Sequence, residues 1–121
     1  MSIRMFSENH IWVEENGGTL LLGITDHAQE KLGNIMFLNL PDVGAVLMKG
    51  QKFGDVESIK TVSDLLSPVD GEVVRINEEL ADEPERINDE PYACWLVDVK
   101  PSCLPEGLVD EETYLLQKDD G

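Results

Sequence analysis

Positive charge is scarce in this chain of 121 residues, and so are the residue patterns that common catalytic sites require. Nine Lys and Arg against 25 Asp and Glu leave a net charge of −16 at neutral pH, which repels phosphate backbones and anionic lipid headgroups. Nucleic acid and membranes are therefore poor partners, and basic protein surfaces are better ones. No apolar run approaches the ~20 residues of a membrane helix, and Met1-Ser2-Ile3-Arg4-Met5-Phe6 lacks the apolar stretch and cleavage site of a signal peptide. A soluble cytoplasmic protein is expected. Cys94 and Cys103 are the only cysteines, with no CxxC spacing and no histidine cluster to complete a metal site, so they read as reduced bystanders. His10 and His27 stand alone in the sequence, and Gly-rich phosphate loops, HExxH and GxSxG are all missing.

What is present suits one small domain. Hydrophobic residues make up 41% of the chain, enough for a single core, and neither a linker nor a repeat divides it, so one domain over 1–121 is expected, with a core of about 6–114 and a frayed tail at 118–121. Short apolar runs broken by Gly, Pro, Asn and Asp predict strands joined by tight turns. Runs 11–13 and 19–24 flank Asn16-Gly17-Gly18, a hairpin signal. Further strands are expected over 35–40, 45–48, 52–59, 61–66, 72–76 and 95–100, the last with Trp95, Val97 and Val99 inward and Asp98 and Lys100 outward. Trp12 and Trp95 read as core aromatics. Thr25 and Gly33 bracket a short helix over 26–32, Asn77 caps another over 78–81, and Asp110 opens a C-terminal helix ending at Gln117. The fold class is mostly β, a sandwich or flattened barrel with short helices.

One stretch stands out, Gly54-Asp55-Val56-Glu57-Ser58-Ile59-Lys60-Thr61-Val62-Ser63-Asp64. It places a single lysine between two strand-like runs, which predicts a hairpin with Ile59 and Lys60 at its tip and the ammonium group on a projecting post. On these grounds alone, such a lysine is an ordinary solvated charge.

Glu57-Ser58-Ile59-Lys60-Thr61 resembles the lipoyl-lysine turn of the glycine cleavage system H-protein family. The likeness continues in order through Gly23-Ile24-Thr25-Asp26-His27-Ala28-Gln29, Leu32-Gly33, Leu40-Pro41-Asp42-Val43-Gly44, Ser67-Pro68-Val69-Asp70-Gly71-Glu72 and Asn88-Asp89-Glu90-Pro91-Tyr92. Biotin-carrying domains of similar shape usually frame their lysine with methionines, whereas Ile59 and Thr61 flank Lys60, so lipoate is the expected cofactor. The resemblance implies a lipoyl-domain-like β-sandwich (a barrel-sandwich hybrid) that is a carrier and not an enzyme. It implies lipoate bound covalently at Lys60 by a lipoate–protein ligase, or by an octanoyltransferase with lipoyl synthase. It further implies shuttling of the aminomethyl group of glycine between glycine decarboxylase (P), a tetrahydrofolate-dependent aminomethyltransferase (T) and dihydrolipoyl dehydrogenase (L). A monomer is expected. Glu57, Ser58, Ile59, Thr61 and Asp64 are then the turn and its recognition surface.

The family folds its loaded arm into a cleft, and the resemblance puts Ile11, His27 and Lys31 there. Three features depart from the family pattern. Ile11 stands where a glutamate is usual, Lys31 where a histidine is usual, and the loop before Trp95 is short. An alternative reading is therefore an H-protein-like carrier for lipoyl relay or lipoate-dependent protein modification. A third is an acidic binding module that is never lipoylated.

Overall fold

The computed structural model describes residues 4–103 and 105–117. These residues form nine strands, β1 (Arg4–Phe6), β2 (Ile11–Asn16), β3 (Thr19–Ile24), β4 (Ile35–Asn39), β5 (Val46–Leu47), β6 (Lys52–Ser58), β7 (Val62–Leu66), β8 (Gly71–Ile76) and β9 (Trp95–Pro101). Four helices accompany them, α1 (Asp26–Leu32), α2 (Glu78–Asp82), α3 (Arg86–Asp89) and α4 (Glu111–Gln117). The strands make a six-stranded sheet ordered β1-β2-β3-β9-β8-β5 and a three-stranded sheet ordered β4-β6-β7, and every pairing is antiparallel. The expected β-sandwich is the fold observed.

Local chemistry explains the framework. Gly17 and Gly18 both take positive φ, +58° and +97°, as the tight hairpin between β2 and β3 requires. Thr25 caps α1 by accepting a hydrogen bond from the Ala28 N–H at 3.2 Å, and Gly33 ends the helix at φ +78°. Asn77 caps α2, and Asp110 Oδ1 accepts from Thr113 N at 2.8 Å at the head of α4. The facing sides of the sheets share one core, with Ile11, Val13, Leu22, Val73, Val97 and Val99 meeting Ile35, Leu38, Phe53, Val56 and Leu65.

Several expectations need correction. The three-residue β1 and the one-turn α3 were not anticipated, and β5 is shorter than 45–48. The 118–121 tail lies outside the described residues. Trp12 is buried, but it faces away from the main core into a second cluster with Phe6 and Tyr114, on the outer side of the six-stranded sheet. Its indole occupies the space a side chain at Gly23 would need. Trp95 is half-buried beneath the Arg75 guanidinium. Asp98 lies on the outer face of the sheet opposite Leu21, as expected, yet it is buried, 5% exposed, and bonded to Arg75 at 3.2 Å. The register shift that leaves Leu96 unpaired between Trp95 and Val97 breaks the expected alternation, and Leu96 and Val97 are both fully buried.

Candidate functional site

The tip of the β6–β7 hairpin is built from Ser58 outward. Its N–H donates to the Thr61 carbonyl at 2.8 Å, and its buried hydroxyl oxygen accepts from Lys60 N at 3.1 Å and Thr61 N at 3.2 Å. The side chain thus braces the turn from within, as Ser does in side-chain-closed turns. The next layer comes from the loop after α1, where the Asn34 carbonyl accepts from Ile59 N at 3.0 Å. That loop is in turn fixed by Asn88 of α3. Asn88 Oδ1 accepts from Ile35 N at 2.9 Å, while Nδ2 donates to the Gly33 carbonyl at 2.8 Å and to Gln29 Oε1 at 3.0 Å. Gly33 also seats the lysine stem, since a Cβ there would lie 3.3 Å from Lys60 Cε.

Lys60 itself is exposed and, among the described residues, takes part in no ion pair. A group that neutralises its charge by forming an amide breaks no salt bridge. Glu57 lies on the outer face of the small sheet, directly between Phe37 of β4 and Val62 of β7. Asp64 is in the neighbouring row opposite Asp55, and Lys52 bridges both carboxylates at 3.3 Å. The Lys52 ammonium is held in its charged form above the usual lysine range, first by its hydrogen bond to Asp64 and then by Asp55.

The cleft residues named from sequence divide. His27 and Lys31 sit on α1, and the fold brings His10 to them, with the two imidazole rings 4.9 Å apart. His10 Nδ1 and the Tyr114 hydroxyl are 2.7 Å apart, and that hydroxyl lies 2.8 Å from Thr25 Oγ1. Burial, then His27, then Lys31 hold the His10 imidazole below its ordinary pKa. Ile11 does not join them on the surface. It is 2% exposed within the inter-sheet core, so it offers no wall to an arm approaching from solvent. Asn88 was not singled out from sequence as a site residue, although it opens the Asn-Asp-Glu-Pro-Tyr segment.

A family model described as the glycine cleavage H-protein matches residues 4–120. The chain belongs to this family. It is 51% identical over 115 residues to the glycine cleavage system H protein of Vibrio vulnificus, covering 91% of this chain and 90% of the relative. It is 48% identical over 112 residues to the glycine cleavage system H protein of Anoxybacillus flavithermus, covering 90% and 88%. The crystal structure of a glycine cleavage system H protein from Mycobacterium marinum superposes with a TM-score of 0.89 at 37% identity, covering 96% of each chain. The chain is thus a lipoyl carrier of the glycine cleavage system and a non-catalytic component. No helix among the described residues is long and apolar enough to cross a membrane.

Proposed function

We propose that Lys60 is the attachment residue for the lipoyl group, on a monomeric, cytoplasmic carrier that is one domain over 1–121. The observation that carries this reading is the combination at the hairpin tip of an exposed amine in no ion pair among the described residues and a backbone braced by Ser58, Asn34 and Asn88. Attachment forms an amide between Lys60 Nζ and an activated lipoyl carboxyl, expelling the activating group and a proton, and takes the net charge from −16 to −17. A bound lipoyl group supplies reversible dithiol–disulfide chemistry and a sulfur that carries the glycine-derived unit between enzymes. The turn fixes the arm's root, and Gly33 directs its stem. Tethering raises the arm's effective concentration at each docked enzyme. The partners are a lipoate–protein ligase, or an octanoyltransferase with lipoyl synthase, followed by glycine decarboxylase, the aminomethyltransferase and dihydrolipoyl dehydrogenase.

Incubation with lipoate, ATP and a lipoate–protein ligase tests the assignment. Intact mass and peptide mapping should place one lipoyl group on Lys60, and Lys60→Arg should remain folded and unmodified. Modification of Lys60→Arg at another lysine would overturn the assignment.

Supplying the lipoylated chain with glycine and glycine decarboxylase should add a further glycine-derived mass on Lys60, as in a reference H protein loaded in parallel.

A further inference from the structure

Three side chains tie the C-terminal helix to the head of α1. The Tyr114 ring of α4 stacks on Phe6 with ring centres 4.8 Å apart, and its hydroxyl stands 2.7 Å from His10 Nδ1 and 2.8 Å from Thr25 Oγ1. Thr25 Oγ1 is also the cap of α1, accepting from Ala28 N at 3.2 Å. Thr25 is 0% exposed and Tyr114 3%, so the pair of hydroxyls is closed to solvent. The backbone fixes His10 beside them at φ +66°, its N–H donating to the Ser7 carbonyl at 3.1 Å and its C=O accepting from Thr25 N at 3.2 Å. Positive φ is uncommon for a residue with a side chain and persists where the surroundings impose it.

The hydrogens available to this chain decide what it tolerates. Two gaps, Thr25 to Tyr114 and Tyr114 to His10, hold one hydrogen each. With His10 neutral and its ring proton on Nε2, Thr25 donates to Tyr114, Tyr114 donates to Nδ1, and both hydroxyls are satisfied. A proton on Nδ1 turns the Tyr114 hydroxyl toward Thr25, and the Thr25 hydrogen is left with no acceptor among the described residues. An imidazolium does the same, because three hydrogens then face two gaps and one buried hydroxyl is stranded. The charged groups around His10 act in the same direction. His27 and Lys31 of α1 oppose a further positive charge there. Asp26 of α1 and the Tyr92 hydroxyl stand near Tyr114, and Glu8 is exposed on the turn that carries His10.

We propose that His10, Tyr114 and Thr25 form a proton-operated latch, closed while His10 is neutral and loosened when the imidazole takes up a proton, so that α4 comes free of the head of α1. Gly33, at the far end of α1, seats the Lys60 stem, so the latch fastens the C-terminal helix to the element that holds the root of the arm. Because the latched form disfavours the imidazolium, the open form takes the proton first, and opening gains as pH falls through the ordinary histidine range.

NMR of the His10 ring nitrogens in the full chain tests the latch without any substitution. At pH 7.5 the ring should be neutral, with Nε2 protonated and Nδ1 bare, and a proton on Nδ1 would overturn the proposal. Hydrogen exchange, corrected for intrinsic rates, then follows the Tyr114 N–H, bonded to the Asp110 carbonyl at 3.0 Å, and the Val109 N–H, bonded to the Phe6 carbonyl at 2.9 Å. Between pH 7.5 and pH 5.5 their protection should fall by roughly tenfold more than that of the β2–β3 ladder, the loss expected for one stranded buried hydroxyl. Tyr114→Phe keeps the ring stack and both histidines but removes the relay, so the extra loss should disappear. His27→Gln leaves the relay intact and should retain it. An equal pH dependence in the parent and Tyr114→Phe, or its disappearance in His27→Gln, would overturn the latch.

Discussion

Asn88 should be worth more to the carrier than an exposed helix residue, and the geometry says how much. Asn88→Ala removes three hydrogen bonds of 2.8 to 3.0 Å that hold the 33–35 loop. Each contributes on the order of 1 kcal/mol net, and water can replace part of the loss because Asn88 is only half-buried. Ile35, however, is 3% exposed, so its N–H regains a partner poorly. A net loss of about 2 kcal/mol is expected, or a fall in melting temperature of roughly 6–10 °C for a domain of this size. Urea and thermal unfolding read this directly, with exposed Asp89→Ala as a control within about 0.5 kcal/mol of the parent. The decisive assay is hydrogen exchange. The Ile59 N–H is bonded to the Asn34 carbonyl that this loop presents, so its protection should fall further than that of the β2–β3 ladder. An Asn88→Ala chain that matches Asp89→Ala in stability and keeps Ile59 protected would refute the idea that α3 anchors the lysine turn.

Other expectations follow from the same geometry. Gly33→Ala should cost about 1–3 kcal/mol, because φ +78° with ψ −157° is a region almost reserved for glycine; a neutral result by urea unfolding would refute the strain. It should also displace the Lys60 stem, visible as shifted Lys60 side-chain resonances. His10 is held below its ordinary pKa, so the unfolded chain takes up a proton first as pH falls through the usual histidine range. Unfolding free energy should therefore be level above that range and decline below it, and His10→Gln should flatten the decline between pH 7.5 and pH 5.5; an unchanged slope would show that His10 is not responsible. Ile11→Glu should destabilise the fold by several kcal/mol, because it buries a carboxylate in the core. The deficit should grow as pH rises past the ordinary glutamate pKa, where the unfolded chain gives up its proton and the buried group retains it, and a stability equal to the parent at neutral pH would show that the site opens to solvent.

What could be read from the residues alone was whatever depends on near neighbours. Asn16-Gly17-Gly18 announces its hairpin because both glycines must take positive φ, and Thr25 and Gly33 mark the two ends of α1 by local capping. Lys60 on its turn belongs to the same class, since Ser58 closes that turn within four residues. Long-range partners were not legible. Asp98 faces away from Val97 and Val99 as alternation requires, but the outer side of the sheet is itself covered there, and Arg75, 23 positions away, accommodates the buried carboxylate. His10 and His27 stand far apart in sequence, yet the turn before β2, with His10 at φ +66°, brings their rings together.

Ile11 shows why similarity and strand parity must be read together. Likeness to the family placed position 11 by an arm cleft, but β2 alternates faces, and the large indole of Trp12 fills the outer side over Gly23. With Trp12 turned outward, Ile11 must turn inward, and isoleucine is what an inter-sheet core accepts at lowest cost. A carboxylate at position 11 would need either a local opening of β2 or a polar partner within the core. The isoleucine at this position therefore serves packing between the sheets, and any polar group presented to an arm must come from a side chain that reaches solvent.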